Sequence, residues 1–214
     1  MARKTAEDSQ RTRDAILDAA ERVLCDKGVS AATVNDIADA AGVSRGAVYG
    51  HYRNKIEVAL AMCERTLGRI AYPVPQPQES ALGLLLQGCL DFLKLARGSS
   101  SMQRVLEVLY QRCEPSAENE PLMRVRQDLE RAGSQNVLTL IGAAVAAGEL
   151  PDSLDRQLAC DFLQSLVGGI YSALTCTERL DAAGMRGVQA MLAAGLDTLR
   201  HSQCLREGYP TAPQ

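Results

Sequence analysis

A four-residue turn, Ala41-Gly42-Val43-Ser44, constrains this chain more than any other stretch. Before it, Thr33-Val-Asn-Asp36 reads as a capping-box-like helix start, and Val34, Ile37, Ala38 and Ala41 recur with helical spacing. After it, Ser44 supplies the cap of a second short helix. Gly42 suits the left-handed backbone that a sharp turn needs, and Val43 is placed to plug the angle between the helices. Two short helices joined in this way form a helix-turn-helix, whose second helix enters the major groove of DNA.

The residues after the turn agree with that chemistry. Val48 is the inward anchor of the second short helix, and Gly46 and Gly50 lie on the opposite side. A face without side chains lets backbone approach base edges, and Ala47 beside it fits a thymine methyl. Arg45, in the first turn, has the reach for a bidentate guanine contact. Tyr49 and His51 are hydrogen-bond donors to phosphate. Thr33, Ser44 and Lys55 sit at helix starts, where free N–H groups attract phosphate. Each residue alone reads equally as ordinary surface, and the same turn joins helical hairpins that never touch DNA. Cap, turn, small-residue face and arginine together point to DNA. Tyr52 reads as core.

The rest of the chain also reads as helix. Ala, Leu, Arg, Gln and Glu dominate, and no run alternates with the period of a strand. The first helix is expected from about Ser9 to Lys27, ending at Gly28, with Ile16, Ala20, Val23 and Leu24 as its apolar stripe. Asn54 caps a helix from about Lys55 to Ile70. Tyr72-Pro-Val-Pro-Gln-Pro77 has three prolines at alternate positions and reads as an extended connector. Beyond it, helices are expected near 79–97, 101–113, 121–148, 154–178 and 184–203, followed by a loose tail from about Leu205. The fold class is all-α, with about nine helices.

Composition narrows the function classes. The net charge is −3, and residues 1–60 hold nine Lys/Arg against nine Asp/Glu, so any DNA affinity rests on a few placed cations. Nothing reaches the ~18 uninterrupted apolar residues of a membrane helix, and Met1-Ala2-Arg3-Lys4 does not open a signal core. A cytoplasmic protein is expected. The seven cysteines form no C-x-x-C pair and read as small buried hydrophobes. With two histidines no metal site is expected, and neither is a cofactor. No P-loop, G-x-G-x-x-G after a strand, H-E-x-x-H or G-x-S-x-G is present, so the chain does not read as an enzyme.

Residues 9–70 resemble the DNA-binding domain of the TetR family of bacterial regulators. The resemblance is carried by Arg13-Asp-Ala-Ile-Leu-Asp-Ala-Ala20, Lys27-Gly28, Thr33, Ile37-Ala38, Ala41-Gly-Val-Ser-Arg-Gly46, Val48-Tyr49, His51-Tyr52 and Asn54-Lys55. Arg45-Gly-Ala-Val-Tyr-Gly-His-Tyr52 and Asn54-Lys-Ile-Glu-Val58 look most like the AcrR- and MexZ-like branch, repressors of multidrug efflux pumps. Tyr52 departs from the usual phenylalanine. The resemblance implies a reading domain at 9–70 and an effector-binding and dimerisation domain at 78–204. Arg3 and Lys4 resemble a basic arm that some members lay on DNA. Candidate effector-pocket residues are Phe92, Met102, Leu106, Glu107, Tyr110 and Phe162. Leu166, Gly169, Tyr171, Leu192, Leu196 and Leu199, on the last two helices, suit a two-fold interface or plain core. The implied function is a homodimeric repressor, released from a palindromic double-stranded operator by a small hydrophobic effector. Release by a protein antagonist, or activation instead of repression, is the alternative.

Overall fold

The computed structural model describes residues 2–76, 78–95, 100–176 and 182–209. Among them the order is α1 (Ala2–Lys27), α2 (Val34–Ala41), α3 (Arg45–Tyr49), α4 (Lys55–Leu67), α5 (Ala81–Leu95), α6 (Ser101–Gln111), α7 (Glu120–Ala146), α8 (Arg156–Cys176) and α9 (Ala182–His201), with a 3-10 turn at Gln203–Leu205. No strand forms among the described residues; a lone antiparallel bridge joins Leu154 and Arg206. No helix among them is long and apolar enough to cross a membrane. The all-α reading and the helix order stand. The largest boundary difference is in α1, which begins at Ala2, not near Ser9. Residues 2–8 are mostly good helix formers, and the Thr12 hydroxyl donates to the Asp8 carbonyl at 3.0 Å, carrying the helix straight through Ser9.

The chain divides into two compact units; one break falls beside the connector, after Ile70, and 99–130 return to the first unit. The first holds α1 to α4 together with α6 and α7 as far as Glu130. Its core joins Ile16, Leu17, Ala20 and Leu24 of α1 with Ile37, Val48 and Met62. Val105, Val108 and Leu109 of α6 and Leu122 of α7 complete it. About 60 residues bury only a modest core on their own, so α6 adds apolar area where it is scarce. Polar bonds reinforce the same packing. Glu21 of α1 is fully buried, and its carboxylate accepts from Arg65 of α4 and Arg104 of α6.

The second unit holds α5, the rest of α7, α8 and α9. One apolar cluster gathers Leu82, Leu85, Leu140, Ile141, Leu163 and Leu199; another gathers Leu90, Leu93, Ile170, Tyr171 and Leu192. α9 passes close to α8 at Gly195, where an added Cβ would overlap Leu166 Cδ2 and meet Phe162 Cε1 at 3.8 Å. Gly195→Val is therefore expected to destabilise by about 1–3 kcal/mol through overpacking. Gly88→Ala in α5, where nothing lies within 4 Å of the new Cβ, is expected to gain up to ~1 kcal/mol from helix propensity. Urea midpoints of the two variants should move in opposite directions.

Glu149, just past α7, closes the start of α5. Its carboxylate accepts from the Ala81 and Leu82 amides at 2.9 and 3.2 Å and from the Ser80 hydroxyl at 2.6 Å. Burial pulls its pKa up, but these bonds and the Arg200 charge outweigh burial and hold it below the usual glutamate value. A depressed folded pKa stabilises above the unfolded value and stops doing so as pH falls through the folded one. Glu149→Gln is expected to cost ~1 kcal/mol at neutral pH, as loss of a cap does. In a urea series the gap to the unsubstituted protein should close on acidification.

The cysteines behave mostly as expected. Cys25, Cys63, Cys113 and Cys160 are buried, and burial pushes the Cys25 and Cys63 thiols up to about 12. Cys204 is exposed and Cys89 half-buried, so these two depart from the expectation. The Cys176 side chain lies outside the described residues.

Candidate nucleic-acid interface

The segment from Thr33 to Tyr52 folds by local rules. Thr33 Oγ1 accepts from the Asp36 amide at 3.2 Å, and Asp36 Oδ2 accepts from the Thr33 amide at 2.9 Å, which makes a reciprocal capping box. Lys27 Nζ adds a 2.6 Å bond to Asp36 Oδ1. The Lys27 bond first, then the Thr33 bonds, hold the Asp36 carboxyl down to about 2. The start of α2 therefore stays charged in neutral and mildly acidic solution. Gly42 ends α2 at φ 67°, a conformation that a Cβ would strain. The Val43 amide donates to the Ala38 carbonyl at 3.0 Å, and its side chain packs on the core. Ser44 Oγ then accepts from the Ala47 amide at 3.1 Å and starts α3.

α3 has the two unlike sides expected of it. Val48 is 1% exposed and fixes the inner side. Arg45, Gly46, Tyr49 and Gly50 are exposed, and Ala47 is half-buried beside them. Arg45 Nη2 donates to the Tyr49 hydroxyl at 3.2 Å, and its guanidinium carbon lies 5.3 Å from the Tyr49 ring centroid. His51 is half-buried, with its ring 6.2 Å from that of Tyr52. Tyr52 is buried, as its position predicted, and among the described residues none bonds its hydroxyl.

Thr33 and Ser44 are exposed at helix starts, as expected. Lys55 differs. Its side chain is only 15% exposed, and Nζ donates to the Ser30 carbonyl at 3.0 Å and pairs with Glu118 at 3.5 Å. Its ammonium thus joins α4 to the loop before α2 and to the segment before α7. Asn119 bonds the Ser30 hydroxyl at 3.4 Å, and the Val29 amide donates to the Arg112 carbonyl at 2.9 Å, so three contacts hold that loop. A groove of about 410 Å³, lined by Arg53, Asn54, Ile56, Glu57, Leu60, Glu118 and Pro121, opens beside them. Arg3 and Lys4 have side chains outside the described residues. Glu21 and Glu118 were missed from sequence. Glu21 had a visible signal, a carboxylate spaced with Leu17 and Leu24 on the buried side of α1. Glu118 had none.

The proposed effector-pocket residues divide between the units. Met102, Leu106, Glu107 and Tyr110 lie on α6 in the first, where Leu106 is buried and Glu107 pairs with Arg112 at 3.3 Å. Phe92 and Phe162 lie in the second. Phe92 stacks on Tyr171 with centroids 5.3 Å apart, and Phe162 packs on a different cluster. None of the six lines the groove beside α4.

The proposed interface residues also divide. Leu192 and Leu199 are 1% and 0% exposed, and Tyr171 and Leu196 are buried too. These four fill the chain's own core, the second of the two readings that their stripe allowed. An apolar stripe marks burial without naming the partner. Leu166 is half-buried and Gly169 exposed. Among the described residues, Leu158 and Met191 are the large apolar side chains that α8 and α9 leave exposed.

Known proteins share this arrangement. Residues 16–62 match the description "Bacterial regulatory proteins, tetR family", and residues 82–180 match "MAATS-type transcriptional repressor, C-terminal region". The HTH-type transcriptional regulator TtgR of Pseudomonas putida is 31% identical over 212 residues, covering 97% of this chain and 100% of its own. The crystal structure of MexZ, a key repressor responsible for antibiotic resistance in Pseudomonas aeruginosa, has 52% identity and a TM-score of 0.85 over 92% of this chain and 98% of its own. The SmeT–triclosan complex has 25% identity and a TM-score of 0.74 over 95% of this chain and 98% of its own. SmeT is the repressor of the Stenotrophomonas maltophilia multidrug efflux pump SmeDEF. With the turn, the caps and the exposed face of α3 in place, and relatives matching almost end to end, the chain belongs to the TetR family of bacterial regulatory proteins.

Proposed function

We propose that this protein is a cytoplasmic transcriptional repressor of a multidrug efflux pump operon. The observation that carries the reading is the exposed α3 face, Arg45, Gly46, Tyr49 and Gly50, set on a rigid capped turn. Arg45 reads a guanine through O6 and N7, Gly46 and Gly50 let backbone close on the base edges, and Ala47 meets a thymine methyl. Thr33, Ser44, Tyr49 and His51 hold phosphates, Arg3 and Lys4 lie along the duplex, and Lys55 exchanges Glu118 for a phosphate. The reading head spans 9–70, and 78–204 bind the effector and a second copy.

A single head touches few base pairs, so a homodimer on a palindrome supplies the specificity. Leu166 and Gly169, with exposed Leu158 and Met191, mark the α8 and α9 surface that suits this contact. The repressors named above support the efflux role, and the SmeT–triclosan complex supports a small apolar effector. The effector favours a conformer whose two heads no longer match successive major grooves, and operator affinity falls.

The test is a titration of the purified protein on the DNA flanking its own gene, across a salt series. Sequence-specific binding is expected; salt-dependent binding without sequence preference would sink the reading. Arg45→Ala is expected to cost about 1–3 kcal/mol on the operator and to relax base preference at one position of each half-site. Affinities on single-base operator variants check it.

A further inference from the structure

We infer that Tyr49 is a positioning residue for Arg45, holding the base-reading guanidinium in place before DNA arrives. The inference rests on the reading of α3 as the DNA-reading helix. The two residues are four apart on α3, so their side chains share one side of the helix. Two contacts join them: the guanidinium over the ring at 5.3 Å, and the Nη2 bond to the hydroxyl at 3.2 Å. A phosphate donor alone requires neither.

The choice of an aromatic holder has a chemical consequence. Lys27 is held by Asp36 and Lys55 by Glu118, so both cations meet a carboxylate. Among the described residues no carboxylate pairs with Arg45. A ring attracts a cation through its quadrupole without neutralising it. Arg45 therefore keeps its full charge for DNA, and no anion has to leave or face the phosphates. One of five guanidinium N–H groups goes to the Tyr49 hydroxyl. The remaining donors still offer a two-pronged edge to guanine O6 and N7. The side-chain freedom that a guanine contact removes is already restricted in the free protein, and pre-ordering of this kind raises affinity only where the ordered pose is used. Tyr49 thus contributes to discrimination between bases, beyond general grip.

The experiment compares the unsubstituted protein with Tyr49→Phe, Tyr49→Ala, Arg45→Ala and Arg45→Ala/Tyr49→Ala. Each is titrated on the operator and on duplexes with each half-site guanine replaced in turn. Tyr49 is 45% exposed, so the variants are expected to keep the fold, which circular dichroism checks. Tyr49→Ala is expected to cut the preference for the operator's guanine about 2- to 5-fold, the strength of an exposed cation–π pair, with the salt slope unchanged. Tyr49→Phe keeps the ring and should lose less. In the Arg45→Ala background, removing Tyr49 should leave the preference unaltered. Weakening of every duplex by one factor, the same with or without Arg45, would overturn the proposal and leave Tyr49 a phosphate contact only. If the unsubstituted protein itself prefers no sequence, the DNA-reading assignment falls, and the proposal with it.

Discussion

Replacing Glu21 by alanine is expected to cost about 3–5 kcal/mol of stability, the range for removing one partner of a buried ion cluster. The Glu21 side chain is 1% exposed. Its Oε1 accepts from Arg65 Nη2 at 2.8 Å and from the Ser101 hydroxyl; its Oε2 accepts from Arg104 Nε and Nη2 at 3.0 and 2.8 Å. Ser101 also bonds Thr66 at 3.0 Å, so α1, α4 and α6 meet in one polar knot inside an apolar unit. Removing the shared carboxylate leaves two guanidiniums close together with less water than they need. Arg65 keeps Asp18 at 2.7 Å, which softens the loss at one end. Exposed pairs offer the contrast. Lys94–Asp91 and Arg124–Glu120 are more than half exposed at both ends, and breaking either is expected to cost at most ~1 kcal/mol. Urea unfolding of the three variants checks the ranking. Amide exchange across Ser101–Gln111 should also quicken in Glu21→Ala, since α6 loses its anchor to α1. Equal losses in all three variants would show that the cluster contributes no more than surface charge.

What was legible in the sequence was local. Thr33, Ser44 and Asn54 cap helices because each side chain reaches an amide within its own turn, and Gly42 ends α2 because few other residues adopt its backbone. These rules need no knowledge of the rest of the chain, so the helix after the turn and its exposed face could be read directly. What was hidden was long-range. Lys55 reads as a free helix-start cation until Glu118, far along the chain, turns up beside it. Leu192 and Leu199 read as interface or as plain core because a stripe reports burial, and the same stripe serves either. The place of α6 followed the same pattern. It lies beyond the prolines, yet its valines fill the first unit's core, and no periodicity could say which core they fill. The effector residues fall in both units for the same reason, since a pocket is a relation between elements.

Gly46→Glu is expected to abolish operator binding while leaving the fold intact, which separates reading from stability more cleanly than any change at a paired residue. Gly46 is exposed, and a Cβ built there meets nothing nearer than the Ser44 hydroxyl at 3.8 Å. Its φ is not positive, so a side chain carries no backbone strain. Glutamate is a better helix former than glycine by up to ~1 kcal/mol, so thermal stability should hold or rise. On DNA the same side chain stands where backbone must approach base edges, and it puts a carboxylate beside Arg45 and against the phosphates. Like charges brought together at an interface cost several kcal/mol, so operator affinity is expected to fall at least ~100-fold. Gly46→Ala, which adds only a methyl, should lose far less. Gly133→Glu is the control, a helical glycine in α7 with nothing within 4 Å of an added Cβ. It alters net charge by the same amount and should bind the operator as the unsubstituted protein does. Equal weakening by Gly46→Glu and Gly133→Glu would mean that net charge alone acts; loss confined to Gly46→Glu places the DNA against the bare side of α3.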